Sequence, residues 1–121
     1  MSHSNLSDIQ RIQGKWRPAR FETFGYQADA EQGTGDMVFA LDQVTTPGGV
    51  TFRFRLDSTQ EPKQLDFFDA LTGKAKFHGI YRFQDEQLII CFNQPSAPRP
   101  ASFTTSKEVT DVMTSYEKID G

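Results

Sequence analysis

A chain of 121 residues amounts to one domain, residues 1–121, and at that size it buries roughly two-thirds of its unfolded surface without staples. Only 36% of the residues are hydrophobic, but eleven Phe, three Tyr and one Trp compensate, because each aromatic side chain buries about 150–250 Å². The net charge of −3 speaks against a nucleic-acid or anionic-membrane surface, and the single cysteine, Cys91, excludes an internal disulfide.

The first residues, MSHSNLSDIQ, carry no basic segment followed by an apolar one, and no run approaches the ~20 apolar residues of a membrane span. A cytoplasmic location is the expectation, although a chain already trimmed of a leader would read the same. Residues 1–4 are expected to be disordered. Ser7-Asp8-Ile9-Gln10 has capping-box spacing, and Leu6, Ile9 and Ile12 recur at helical intervals. This predicts a short helix over about Asn5–Gln13, stopped by Gly14 and too short to stand without an apolar surface beneath it.

Lys15–Phe24 reads as the first strand. Pro18 cannot donate to a ladder, and a bulge there would bring Trp16 and Phe21 to one face. Gly25–Gly35 reads as a loop and Asp36–Val44 as a strand. Thr46-Pro47-Gly48-Gly49 is a turn. In Val50–Asp57, Val50, Phe52, Phe54 and Leu56 alternate with Thr51, Arg53, Arg55 and Asp57, the signature of a strand with one wet face.

Lys63–Asp69 is the next strand, with Leu65 and Phe67 inward. After a turn at Leu71–Lys74, Ala75, Phe77, Gly79, Tyr81 and Phe83 share a face. Asp85-Glu86 is a tight turn, and Leu88, Ile90 and Phe92 share the following inward face. The outward parity holds Phe68, Ile80, Ile89 and Cys91, an apolar set that needs a cover. The N-terminal helix is the preferred cover and a homodimer interface the competitor. Asn93–Ser106 carries Pro95, Pro98 and Pro100 and reads as an ordered loop with a short strand near Ser102–Thr104. Asp111–Ile119 is the last strand. Seven or eight strands at regular spacing predict an all-β, antiparallel up-and-down barrel, wide enough to be filled by side chains or to hold one small ligand.

Five segments in order carry a family resemblance: Ile12-Gln13-Gly14-Lys15-Trp16, Pro62-Lys63-Gln64-Leu65-Asp66, Gly79-Ile80-Tyr81-Arg82-Phe83, Leu88-Ile89-Ile90-Cys91-Phe92 and Arg99-Pro100-Ala101-Ser102-Phe103. Over about residues 9–119 the chain resembles a bacterial domain family best known from Planctomycetes, which has no settled activity. More distantly, Gly14-Lys15-Trp16 is similar to the G-x-W start of lipocalins. That resemblance implies a lipocalin-like barrel with the Trp plugging one end. It also implies a basic side chain across the Trp, with Lys118 the candidate, though Glu117-Lys118 stands where the family usually has Lys-Arg.

Trp16, Phe54, Tyr81 and Arg99 are the candidate ligand-binding residues. The inward aromatics Trp16, Phe39, Phe52, Phe54, Phe67, Phe77, Tyr81, Phe83 and Phe92 either line an apolar pocket or pack solid. Arg99, stiffened by flanking prolines and always charged, either clamps the loop to the barrel or anchors an anionic ligand. His78 reads as a solvated strand residue and Cys91 as a small buried one, with no base for nucleophilic work. No metal set, cofactor motif or catalytic pair is legible, and Gly33-Thr34-Gly35 lacks the Lys-Ser/Thr of a phosphate loop. The expected function is non-enzymatic binding of a small apolar or anionic ligand. The alternative is a filled-barrel interaction module, homodimeric through Phe68, Ile80, Ile89 and Cys91.

Overall fold

The computed structural model describes residues 7–29, 35–106, 108 and 110–119. The expected disorder of residues 1–4, and Leu6 of the helix, fall outside the described residues. Helix α1 spans Asp8–Arg11 and is followed by β1 (Gly14–Thr23), β2 (Tyr26–Asp29), β3 (Met37–Ala40), β4 (Gln43–Thr45), β5 (Thr51–Asp57), β6 (Gln64–Asp69), β7 (Ala75–Gln84), β8 (Gln87–Asn93) and β9 (Val112–Ile119). All pairings are antiparallel. β1 pairs with β9 along one edge and with β3 along the other through Gly14–Trp16, so β1 and β3 to β9 close an eight-stranded barrel. The up-and-down barrel with a short N-terminal helix is the predicted fold class.

The alternation in Val50–Asp57 builds a strand, as read. Asp85 and Glu86 both take positive φ, 51° and 66°, and join β7 to β8 in a two-residue hairpin whose twist matches its strands. The β1–β9 register slips between Pro18 and Arg20. Trp16, Pro18 and Phe21 therefore sit opposite Lys118, Tyr116 and Thr114, all on one face, as the proline predicted.

Three elements depart from expectation. Residues 26–29 form β2, which pairs with the far half of β1 outside the barrel. All four of its side chains are exposed, so no apolar alternation announces it. The strand expected over 36–44 is split into β3 and β4 by a turn in which Leu41 takes φ 58° and is 82% exposed. No strand forms near 102–104.

The antiparallel order sorts the connections to two ends. One end holds the start of β1, the β3–β4 turn, residues 58–63 and the β7–β8 turn, and α1 lies over it. Ser7 and Gln10 form the capping box that starts α1. Ile12 follows, fully buried in the barrel core with Trp16, Phe39, Val44, Leu88 and Tyr81. The helix thus plugs the barrel end and does not cover Phe68, Ile80, Ile89 and Cys91 as expected.

That cover is residues 94–106, which leave β8 at the opposite end and run back across the outside. Along the sheet Ile80 pairs with Cys91, Cys91 with Met113 and Met113 with Glu22, one outward row crossing β7, β8, β9 and β1. The connection is pinned at both ends of this row. Arg99 holds it to Asp66 and Gly79, and Thr105 holds it to Glu22 through a 2.6 Å hydroxyl bond. Beneath this strap Ile80, Ile89 and Cys91 are buried and Phe68 is half-buried. They form a small second core outside the barrel.

Candidate functional site

The plugged end is tied by polar contacts. The Trp16 indole N–H donates to the Ile12 carbonyl at 2.8 Å. The Lys118 ammonium stands 4.8 Å from the Trp16 ring centroid and also donates to the carbonyls of Arg11 and Gln13. Gly14 makes room for it: its φ is 117°, and a Cβ there would stand 3.1 Å from the Lys118 chain. The Tyr81 hydroxyl donates to Asp8 Oδ2 at 2.7 Å, and Lys63 Nζ reaches the same oxygen at 2.9 Å. Burial alone would raise the Asp8 pKa, but the Lys63 and Tyr81 bonds and the charges of Lys63 and Arg11 outweigh it and leave the carboxyl below its ordinary range. Burial and the Asp8 charge raise the Tyr81 hydroxyl well above a free phenol.

The opposite half of the barrel is different. A cavity of about 320 Å³ opens between the β4–β5 turn and the ends of β6, β7 and β8. Thr46, Pro47 and Val50 form its lip, and Met37, Phe52, Leu65, Phe67, Phe77, Ile90, Phe92 and Tyr116 form its wall. The rings interlock around it. Phe52 stacks on Phe67 with centroids 5.9 Å apart. Phe77 meets Phe52, Phe67 and Phe92 edge-on, at 5.3 Å from Phe92. Such pairs fix ring positions. Tyr116, 4% exposed, brings a hydroxyl into this apolar wall. Burial pushes its pKa up to about 12, with partial relief from a hydrogen bond to Thr114, so it is a neutral hydroxyl at any physiological pH. The cavity can therefore accept a compact carbon-rich molecule.

The four candidate residues do not meet in this cavity. Trp16 and Tyr81 belong to the plugged end. Phe54 lies in the solid middle of the barrel, edge-on to Phe39 at 4.9 Å. Arg99 is on the outside: its Nη1 donates to the Gly79 carbonyl at 2.8 Å and its Nη2 stands 2.8 Å from Asp66 Oδ1. Its contacts are those of the clamp of the two roles expected for it, because its partners, the neutral Gly79 carbonyl and the Asp66 carboxylate, hold the strap and neither residue lines the cavity. Phe52, Phe67, Phe77 and Phe92 were legible as inward. Tyr116 was missed as a lining residue, although counting across from Trp16 through the Pro18 bulge places it on the inner face.

Other readings are also corrected or placed. His78 is half-buried and its Nε2 lies 2.7 Å from the Ala97 carbonyl, so it too holds the strap. Cys91 is fully buried, and burial with the charges of Asp111 and Glu22 pushes its thiol up to about 12. Phe68, Ile80, Ile89 and Cys91, the set considered as the competing seat for a second copy, lie beneath the chain's own strap. Among the described residues no three His, Cys, Asp or Glu cluster as metal ligands, and no helix is long and apolar enough to cross a membrane.

Comparison of the chain with protein-family models, with curated proteins and with solved structures yields no match.

Proposed function

We propose that this protein binds a small, largely apolar molecule in the open half of its barrel. The observation that carries this reading is the cavity of about 320 Å³, walled by four interlocked phenylalanines and open at the Val50 lip. That size is at the small end of the ~300–1,000 Å³ typical of ligand sites. The anionic character expected of the ligand rested on Arg99, which is engaged elsewhere, and among the described residues no charged side chain lines the cavity. The ligand of this site is therefore neutral, with at most one polar group opposite Tyr116. The kinship with lipocalin-like domains belongs to the same reading. It is supported by the helix before Gly14-Lys15-Trp16 and by Lys118 across the Trp16 ring.

The test is a fluorescence titration with N-phenyl-1-naphthylamine, a neutral apolar dye. Binding at one dye per chain is expected, with a blue-shifted emission. Val50→Trp places bulk at the lip, where Val50 is 53% exposed, so it should weaken the dye about tenfold or more without lowering the melting temperature. No saturable binding, or binding that Val50→Trp leaves unchanged, contradicts the proposal.

A further inference from the structure

A second hollow lies outside the barrel at the plugged end, between α1, residues 61–63, β7 and the strap. It is larger than the barrel cavity, about 560 Å³, and its walls are of another kind. Arg11, Lys63 and Arg82 bring three cations from three different elements into a protein of net charge −3. From this juxtaposition we infer that the crevice is a binding site for an oxyanion, a phosphate or carboxylate carried by a small molecule.

The two arginines are the reason. Arg20, Arg53 and Arg99 each face a carboxylate, and Lys63 faces Asp8. Arg11 and Arg82 do not: among the described residues neither takes part in an ion pair. Each is instead set over an aromatic ring, Arg11 at 4.2 Å from the Phe83 centroid and Arg82 at 4.4 Å from that of Phe103. A guanidinium over a ring is positioned by the ring's quadrupole yet keeps its N–H fork for an acceptor. A carboxylate or phosphate fits that fork with two parallel bonds. Asp8 feels the Arg11 charge, but its Oδ2 is already taken by Lys63 and Tyr81. The strap adds the hydroxyls of Ser102 and Thr104, 2.9 Å apart, on the same wall.

Glu61 also lines the crevice and opposes an anion. That fixes the sign of one variant: Glu61→Gln must tighten binding, by about two- to fivefold as for a surface charge.

The experiment is an NMR titration of the 15N-labelled chain with inorganic phosphate and, separately, with citrate. A saturable movement of the Arg11 and Arg82 Nε–H signals and of the 101–104 amides is expected. Saturation by phosphate alone assigns a phosphoryl ligand, and saturation by citrate alone a carboxylate. Arg11→Gln and Arg82→Gln should each raise the dissociation constant about tenfold. Arg82→Lys, which keeps the charge and loses the fork, should raise it less, and Arg20→Gln and Arg53→Gln should leave it unchanged. Both crevice arginines are exposed, so their variants keep the fold, which the unaffected amides of β5 and β8 verify. Shifts that do not saturate with either anion, or that Arg11→Gln and Arg82→Gln leave intact, overturn the inference. So does a Glu61→Gln variant that binds more weakly.

Discussion

Arg99→Ala separates a clamp from a ligand anchor. The guanidinium makes one charge-assisted bond to the Gly79 carbonyl and one ion pair with Asp66. A hydrogen bond to a charged donor contributes about 1.5–3 kcal/mol. Losing one partner of an ion pair costs ~3–5 kcal/mol when fully buried and ~0–1 when exposed. The two side chains here are 27% and 19% exposed, between these limits but open enough for water to recover part of the loss. A total of about 2–3 kcal/mol follows. With an unfolding entropy of about 0.25 kcal/mol/K for 121 residues, the melting temperature should fall by about 10 °C. Circular dichroism melts measure it, and a double-mutant cycle with Asp66→Asn should give a coupling of about 1 kcal/mol or more. The apolar dye should bind the variant as it binds the wild type, because Arg99 does not line the cavity. A melting temperature within about 2 °C of wild type, joined to a loss of dye binding, would falsify the clamp and return Arg99 to the ligand.

Gly79→Ala should cost about 3 kcal/mol or more, or prevent folding, because a Cβ there would stand 2.3 Å from the Cys91 carbonyl and 2.8 Å from Phe92 Cβ; urea unfolding measures it. Ile12→Ala should cost about 2–4 kcal/mol by leaving a void beneath α1, read from the same urea curves with the dye site intact. Asp8 has a depressed pKa, so its contribution is fully present above the ordinary aspartate value of 3.8 and is lost as the pH falls through the lower, folded value. Asp8→Asn should therefore be less stable than wild type by about 1 kcal/mol at pH 7, with the gap closing at pH below 3.8; a gap that stays constant with pH contradicts the Lys63–Asp8–Tyr81 arrangement.

The barrel was legible because its strands alternate. Val50–Asp57 shows a period of two, Leu88–Phe92 is a short continuous apolar run, Pro18 forces a bulge, and Asp85-Glu86 closes a hairpin. β2 was not legible, since Tyr26–Asp29 buries nothing and its pairing to β1 is a backbone matter. The β3–β4 turn was hidden by Leu41, an apolar residue in a left-handed turn conformation that reads as a continuing strand. The site was half legible. Parity tells inside from outside but not one barrel end from the other, so Trp16 and Tyr81 of the plug were grouped with rings of the open half. Arg99 lies in a loop, where parity does not exist. Only the row Ile80–Cys91–Met113–Glu22 shows that the loop crosses the outer wall.

The most direct test of the central claim is an intermolecular NOE experiment on the 13C-methyl-labelled chain with the neutral dye at saturation. The account predicts contacts from the dye rings to the methyl groups of Val50 at the lip and of Met37, Leu65 and Ile90 in the wall. Contacts confined to exterior methyls such as those of Leu71 or Leu41, with none to Leu65 or Ile90, would show that the interior of the barrel is not a binding site.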